Sequence, residues 1–591
     1  MILNIRINYR PFLFLAVVLF QTGVTAQVFV GANTDVLVNN NVFYVKQCLE
    51  LSSASSHFYL RNQSQLLQGT PGLGTNKGLG SLSVFQEGTV TNYQFNYWCA
   101  PVGNVALSTS ENSPFGITQL SLPETKATSI PAIILSSNTY DGTATPFAIA
   151  PYWINKFTTH NSSYSDWVPV GATATINAGE GFTMKGTSGT NTTVVDGVQN
   201  NPDGKHQRYD FRGKPNDGTI TIPVLTGEWT LTGNPYPSAI DLQAFLTAEL
   251  NCTGIAYFWE QDKTQNSHYI VDYKGGYGTY SAADVYIPAV FYTYDGSGNE
   301  IANLGSSGNT YQRKYSPIGQ GFMIEGSANA NVQMKNSYRI FVKEGLSNFP
   351  QFEKKATNKT ITTPQTVPHI RLNTLLDNGP ISQMVLAFNP SSTDDIDHAM
   401  DAASPNDGSA NNYFVINDNE YVINVMPFDI DKKIAIGFRN TAEANYKITV
   451  NQIINIPEVA NVYVHDKATN TYYDIKNSLF DVTLPAGTNT TQYEIAFKNG
   501  TLSLPNLPNQ NSFVVRQDNY TKKLTISNPL QKELNSCDVY DVMGKQILGK
   551  SRPGTNASYV FSTSNWNDGI YIVKLTTTDK SEMGTKIIIK K

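Results

Sequence analysis

Six tryptophans and 32 tyrosines supply the most obvious binding chemistry in this chain of 591 residues. Flat aromatic rings stack on the apolar faces of sugars, and neighbouring amide side chains can take the hydroxyls. Trp153, Trp167, Trp259 and Tyr236 are the candidates for such a platform. The same rings also fill β-sandwich cores, and that reading stands beside the first for each of the four. A second candidate is the acidic run Asp394, Asp395, Asp397 and Asp401 around His398. Its carboxylate oxygens could hold calcium, although the ligand order and turn glycine of an EF-hand loop are missing. A solvated Asp-rich connection has the same composition, so calcium is the single cofactor suggested and otherwise none is expected.

Several chemistries lack their residues. No GxSxG elbow, HExxH helix or phosphate-binding P-loop occurs. The runs Gly179-Glu180-Gly181-Phe182 and Gly319-Gln320-Gly321-Phe322 lack the third glycine and the following helix of a dinucleotide loop. Instead Phe182 and Met184 alternate with Thr183 and Lys185, as Phe322 and Ile324 do in the second run, which predicts strands entered through tight turns or bulges. The seven histidines are dispersed, and 47 acidic residues offer too many pairs to choose a glycosidase couple. No catalytic residue is therefore assigned. Cys48, Cys99, Cys252 and Cys537 make no CxxC pair. A Cys48–Cys99 disulfide and isolated buried thiols both fit an exported protein.

The elements that must position these residues read as β throughout. Charged residues are only 15 %, with 44 glycines, 29 prolines and 28 phenylalanines, a composition that suits an all-β, multidomain secreted protein. A formal net charge of −5 and the lack of lysine or arginine clusters give no field for nucleic acid. Arg6 and Arg10, the apolar run Pro11 to Phe20 and Val24-Thr25-Ala26 make residues 1–26 a signal peptide, cleaved between Ala26 and Gln27. No later run approaches about 18 apolar residues, so no transmembrane segment is expected in the mature chain. Short β-runs over 27 to about 90 fit either rungs of a β-helix or the first sheet of a sandwich. Gly69 to Gly80 reads as a loop.

Residues 93–346 carry a weak internal duplication. Trp98, Pro101-Val102-Gly103-Asn104, Tyr152-Trp153 and Gly179 to Gly186 return as Trp229, Gly233-Asn234-Pro235, Phe258-Trp259 and Gly319 to Gly326. The stretch between Trp259 and Gly319, rich in Tyr, Gly, Ser and Asn, reads as a long surface excursion. The expected domains are an N-terminal β-region with the first repeat (27–215), a second repeat unit (216–350), a linker (351–368), a β-sandwich (369–500), a linker (501–510) and a terminal β-domain (511–591).

That terminal domain has its own pattern. Asn528-Pro529-Leu530 is followed by Val539-Tyr540-Asp541-Val542-Met543-Gly544-Lys545, then Asp568-Gly569-Ile570-Tyr571-Ile572-Val573, then Gly584-Thr585-Lys586 and terminal lysines. Gly544 is placed to give the positive φ of a hairpin turn, and Asn567-Asp568-Gly569 is a turn signal before an alternating strand. These residues resemble the type A C-terminal sorting domain of the type IX secretion system, with Gly544, Gly569, Tyr571 and Lys586 in the matching positions. The resemblance implies an immunoglobulin-like tail recognised by that secretion machinery and its sorting protease. It also implies a passenger released, or anchored through polysaccharide to the outer face of the outer membrane.

For residues 27–500 the expectation is a non-enzymatic β-protein acting in adhesion or glycan binding. A secreted hydrolase of polysaccharide or protein is one alternative, and a structural surface-layer or biofilm component is another.

Overall fold

The computed structural model describes residues 27–69, 76–105, 111–157, 166–173, 175–306, 308–344, 367–377, 379, 381–405, 408–499, 513–541, 544–579 and 582–590. The expected signal peptide with Ala26, residues 70–75 of the glycine-rich loop, most of the first linker and all of the second lie outside them.

The first strands coil. β1 (Val28–Val30), β2 (Thr34–Asn39) and β3 (Val42–Val45) make one turn, and β4 (Leu49–Leu51), β5 (Ser56–Arg61) and β6 (Gln65–Gln68) make the next. Val28 pairs in parallel with Leu49, Asp35 with His57 and Val42 with Gln65, so rungs repeat every 21 to 23 residues. β7 (Ser81–Glu87) continues the stack from β5, also in parallel. Parallel neighbours need a long return path, and the coil itself provides it. These are β-helix rungs, which decides the question that alternation alone leaves open. Val30, Val38, Val45, Leu49, Leu51, Phe58 and Leu60 line its interior. Asn33, Asn40 and Asn62 sit at corners with φ of 54°, 56° and 49°. Asparagine tolerates that left-handed region because its short amide can bond to the local backbone.

The next region contains one strand order twice. β8 (Phe95–Cys99), β9 (Asn155–Phe157), β10 (Trp167–Pro169) and β11 (Gly181–Lys185) form a sheet in the order β10-β9-β11-β8. β12 (Trp229–Gly233), β13 (Cys252–Gln261), β14 (Lys274–Ser281) and β15 (Gly321–Gly326) take the order β14-β13-β15-β12 within a larger sheet. Gly181 pairs with Cys99 as Gly321 pairs with Gly233. The register thus matches Pro101 with Pro235, four residues away from the alignment of Gly103 with Gly233 that the sequence suggests. It also matches Trp259 with Phe157, not with Trp153, since Asn155 faces Thr183 and Tyr257 faces Met323.

These two sheets lock through their glycines. Gly179 and Gly319 take φ of 86° and 81°, the turn geometry expected before each strand. Gly181 and Gly321 do something else. A Cβ on Gly321 would lie 2.7 Å from the Tyr97 carbonyl carbon and 2.8 Å from the Trp98 nitrogen, and one on Gly181 would lie 2.7 Å from the Thr232 oxygen. Each glycine therefore admits the backbone of the other sheet. Thr232 Oγ1 donates to Gly179 O (2.7 Å), and the Cys99 amide donates to Gly319 O (2.8 Å), completing a reciprocal pair of contacts.

Between Trp259 and Gly319 the chain adds further strands to the sheet, which corrects the expected surface excursion. β14, Val285–Ile287, Val290–Tyr294 and Glu300–Ser306 extend the sheet outward from β13. Glycines that suggest a loop serve close approach instead: a Cβ on Gly278 would strike the Tyr286 hydroxyl, and one on Gly275 the Trp259 ring. Asp262–Tyr273 is an irregular loop with one 3-10 turn. Residues 369–497 form an eleven-stranded sheet around their own core, including Ile370, Leu386, Phe414, Ile436 and Ile495. A further core joins Tyr97, Leu231, Tyr257 and Met323 to Val385, Ile423 and Val425. One compact unit accordingly runs through Phe497 and a second begins at Lys498.

In the second unit, a three-stranded sheet (Val514–Asp518, Lys523–Ser527, Ser558–Ser562) and a four-stranded sheet (Leu534–Asp541, Gln546–Gly554, Gly569–Thr577, Glu582–Ile589) share one core. Gly544 has φ 79°, and its amide donates to Asp541 O, closing the hairpin. Tyr571, Val573 and Leu575 point into the core and Tyr571 Oη donates to Asn567 O, while Lys586 stays exposed opposite Ile572.

Candidate functional site

Alternation along β11 sends Phe182 and Met184 into the core shared with the β-helix and turns Thr183 and Lys185 to the other face. There the register sets Lys185 beside Phe95 and Thr183 beside Tyr97. Lys185 is only 5 % exposed. Its ammonium lies 3.6 Å from the Trp153 ring centre, 4.8 Å from Phe95 and 5.1 Å from Tyr273, an aromatic enclosure for a cation. It donates to Tyr273 Oη at 2.7 Å and to His268 Nδ1 at 3.1 Å. The other ring nitrogen, Nε2, faces Asp141 Oδ1 at 2.9 Å, and the Asn92 amide donates to the same oxygen.

Each partner is placed by a local cause. Pro151 opens a 3-10 turn, Pro151–Trp153, with its fixed φ, and the turn sets Tyr152 and Trp153 side by side. Thr183 Oγ1 donates to Trp153 O (2.9 Å), tying that turn to β11. Trp153 Nε1 donates to Tyr140 O (2.7 Å), which brings Tyr140 and Asp141 to the rim. His268 and Tyr273 belong to the 262–273 loop, where Ser267 Oγ donates to Asp272 Oδ2 (2.6 Å). The His268 ring stacks on Trp153 with centres 5.1 Å apart and planes 21° apart.

Burial pushes the Lys185 amine down to about 7, against the pull of Asp141. Burial also lowers His268, its Asp141 hydrogen bond opposes this, and Lys185 lowers it further. Outside this buried centre the surface is apolar and open: Tyr140 and Tyr152 are 47 % and 46 % exposed and meet edge to face with centres 4.7 Å apart. The rings of Tyr140 and Tyr152 stand nearly perpendicular to one another, so a flat apolar face can stack on either of the two exposed tyrosines, with Asp141 beside them to accept a hydroxyl.

The four aromatic candidates separate. Trp153 forms this site. Trp167 and Trp259 both pack on Tyr97, with centres 5.8 Å and 6.3 Å away, in the seam toward residues 385–425. Tyr236 is fully buried and donates to Gly218 O (2.6 Å), so it fills a core and presents no face to a sugar. The acidic run does not converge. Asp394 pairs with Lys432, Asp397 accepts from Thr393, and the buried Asp401 carboxylate accepts the Asp397 and Val425 amides. The Asp395 amide donates to Thr393 Oγ1. Among the described residues no group of three or more His, Cys, Asp or Glu is placed to hold a metal ion. All four cysteines are free thiols, so Cys48 and Cys99 are not bridged.

Sequence reading misses Lys185, His268, Asp141 and Tyr273 as partners. One signal was available: Lys185 continues the alternation of a strand that is buried on both faces, and lysine is rarely buried without a reason.

Residues 520–590 match a family model described as Secretion system C-terminal sorting domain, and residues 15–497 match one described as Domain of unknown function (DUF8693). No curated protein matches. A DUF3244 family protein with an immunoglobulin-like β-sandwich fold from Bacteroides vulgatus is 18 % identical over 13 % of this chain and 85 % of its own, at a TM-score of 0.12. The BSP domain of a biofilm associated protein is 9 % identical, covering 88 % of this chain and 98 % of its own at 0.11. Tp47, the 47-kilodalton lipoprotein of Treponema pallidum, is 9 % identical over 63 % and 92 %, also at 0.11. Scores this low carry no argument. Among the described residues no helix is long and apolar enough to cross a membrane. The sorting tail makes this a type IX secretion cargo, secreted or attached at the cell surface, and the body of the chain belongs to the DUF8693 family.

Proposed function

We propose that the protein is a non-enzymatic surface or secreted binding protein whose ligand is a glycan, held at Tyr140, Tyr152 and Trp153. The observation that supports this reading is a pair of half-exposed rings, Tyr140 and Tyr152, packed edge to face against the partly buried Trp153 beside the Asp141 carboxylate, with Trp153 fixed by Lys185 and His268. Rigid aromatic faces lose little entropy on binding, and a carboxylate next to them accepts sugar hydroxyls. We also infer that residues 93–346 hold two copies of one four-stranded unit, from the matched strand order and register. The copies have diverged at the position that matters, since the register equates Lys185 with Glu325.

A glycan array with the secreted full chain, followed by calorimetry on the best ligand, tests the reading. Changing Tyr152 and Trp153 together to alanine should weaken binding at least tenfold, about 1.4 kcal/mol. Tyr520→Ala, at a 95 % exposed position in the second unit, should leave it unchanged. Unaltered affinity in the double variant, or turnover of any glycan, would refute the proposal.

Export has its own test. Deleting residues 511–591 should leave the protein in the periplasm, as fractionation and immunoblotting would show. Unchanged surface delivery would contradict a sorting role for the tail.

A further inference from the structure

We propose that His268 is a proton-operated latch on the Trp153 site: the neutral ring bridges Lys185 to Asp141 and holds the 262–273 loop over Trp153, and a second ring proton releases it. The inference concerns regulation of the glycan site proposed above and rests on that reading for its purpose, but the latch is observable without ligand.

The hydrogen-bond inventory forces the tautomer. The Asp141 carboxylate beside Nε2 can only accept, so the single proton of the neutral ring belongs on Nε2 and Nδ1 is left to accept from the Lys185 amine at 3.1 Å. The ring proton then sits on Nε2 and is donated to Asp141 Oδ1. Adding a proton to Nδ1 sets N–H against N–H and brings two cations within that distance. Lys185 cannot withdraw, because its strand is buried on both faces and its ammonium is enclosed by Phe95, Trp153 and Tyr273. His268 can, because it belongs to an irregular loop whose neighbours Tyr269 and Val271 are 75 % and 53 % exposed.

The groups facing the ring are few. β11 presents Lys185, the segment between β8 and β9 presents Asp141 with Tyr140, the segment before β8 presents Tyr93, and the loop itself presents Tyr273. Asp141 alone favours the imidazolium, while burial and Lys185 both oppose it. A base whose folded-state affinity for protons is lowered contributes stability above its unfolded pKa, and this is lost as pH falls through the folded one. The latch is therefore shut at neutral pH and opens on acidification.

Hydrogen–deuterium exchange on the ligand-free full chain at about pH 8 and about pH 5, corrected for intrinsic rates, reads the latch directly. Residues 262–273 should lose about tenfold in protection at the lower pH in the wild type. His268→Gln, a neutral side chain that cannot take up the proton, should lose most of that response, the remainder reporting Lys185, which titrates near 7 and holds Tyr273 of the same loop. Equal wild-type protection at the two values, or an undiminished pH response in the variant, would overturn the latch. Loss of glycan binding with an intact exchange response would instead remove only the proposed ligand.

Discussion

Replacing Lys185 with methionine is expected to stabilise the protein near pH 7 by about 2 kcal/mol and to flatten its stability between neutral and alkaline pH. A free lysine titrates near 10.4, whereas this one is pushed down to about 7 by burial. The unfolded chain therefore binds the proton across the window between, and the folded chain does not, so wild-type stability climbs as pH rises from about 7 to about 10. Below that window the penalty is constant. At about 1.4 kcal/mol per pH unit the slope amounts to about 3 kcal/mol between about pH 7 and pH 9.5. Cation–π contact with Trp153 and the bond to Tyr273 Oη recover part of the cost of burial, which is why the net gain from methionine is smaller than the whole shift. Urea denaturation of both proteins at the two pH values measures the difference, and titrations common to both cancel in it. Parallel stability profiles would show that Lys185 is better solvated than its surroundings indicate.

Gly321→Ala should cost about 3–5 kcal/mol and could prevent folding altogether, because the new methyl would fall 2.7–2.9 Å from three backbone atoms of Tyr97 and Trp98. No side chain can turn aside to make room, so β8 and β15 would have to separate. Gly171→Ala gives the contrast. It has φ 68° and no atom within 4 Å of the added methyl, so only backbone strain of about 1 kcal/mol is expected. Thermal melts of the two variants distinguish the mechanisms. Similar losses at both positions would mean that the interlocked sheets can relax, and that the glycines of β11 and β15 serve turn geometry alone.

Much of this architecture is legible in order along the chain. The alternation through Phe182, Thr183, Met184 and Lys185 correctly separates two faces, because a strand's period of two is a local property. Gly544 and the face of Tyr571, Val573 and Leu575 follow from the same local rules. The stretch after Trp259 misleads for a related reason: glycine lowers strand propensity, and only the rings packed on Gly275 and Gly278 show why it is tolerated inside a sheet. The aromatic pairs at Trp153 and Trp259 stand four residues out of the matching pairing register, because residue type alone does not carry the register.

The sequence by itself determined the export signal, the all-β character and the strand faces, all written in residues close to one another along the chain. Tertiary structure alone decided that residues 27–87 coil as β-helix rungs, because parallel and antiparallel pairing share the same alternation and differ only in where the chain returns. It also decided the site. Asn92, Asp141, Trp153, Lys185, His268 and Tyr273 come from separate segments up to 181 residues apart. No spacing rule can join such residues, since what brings them together is the packing of one sheet face against a loop from another.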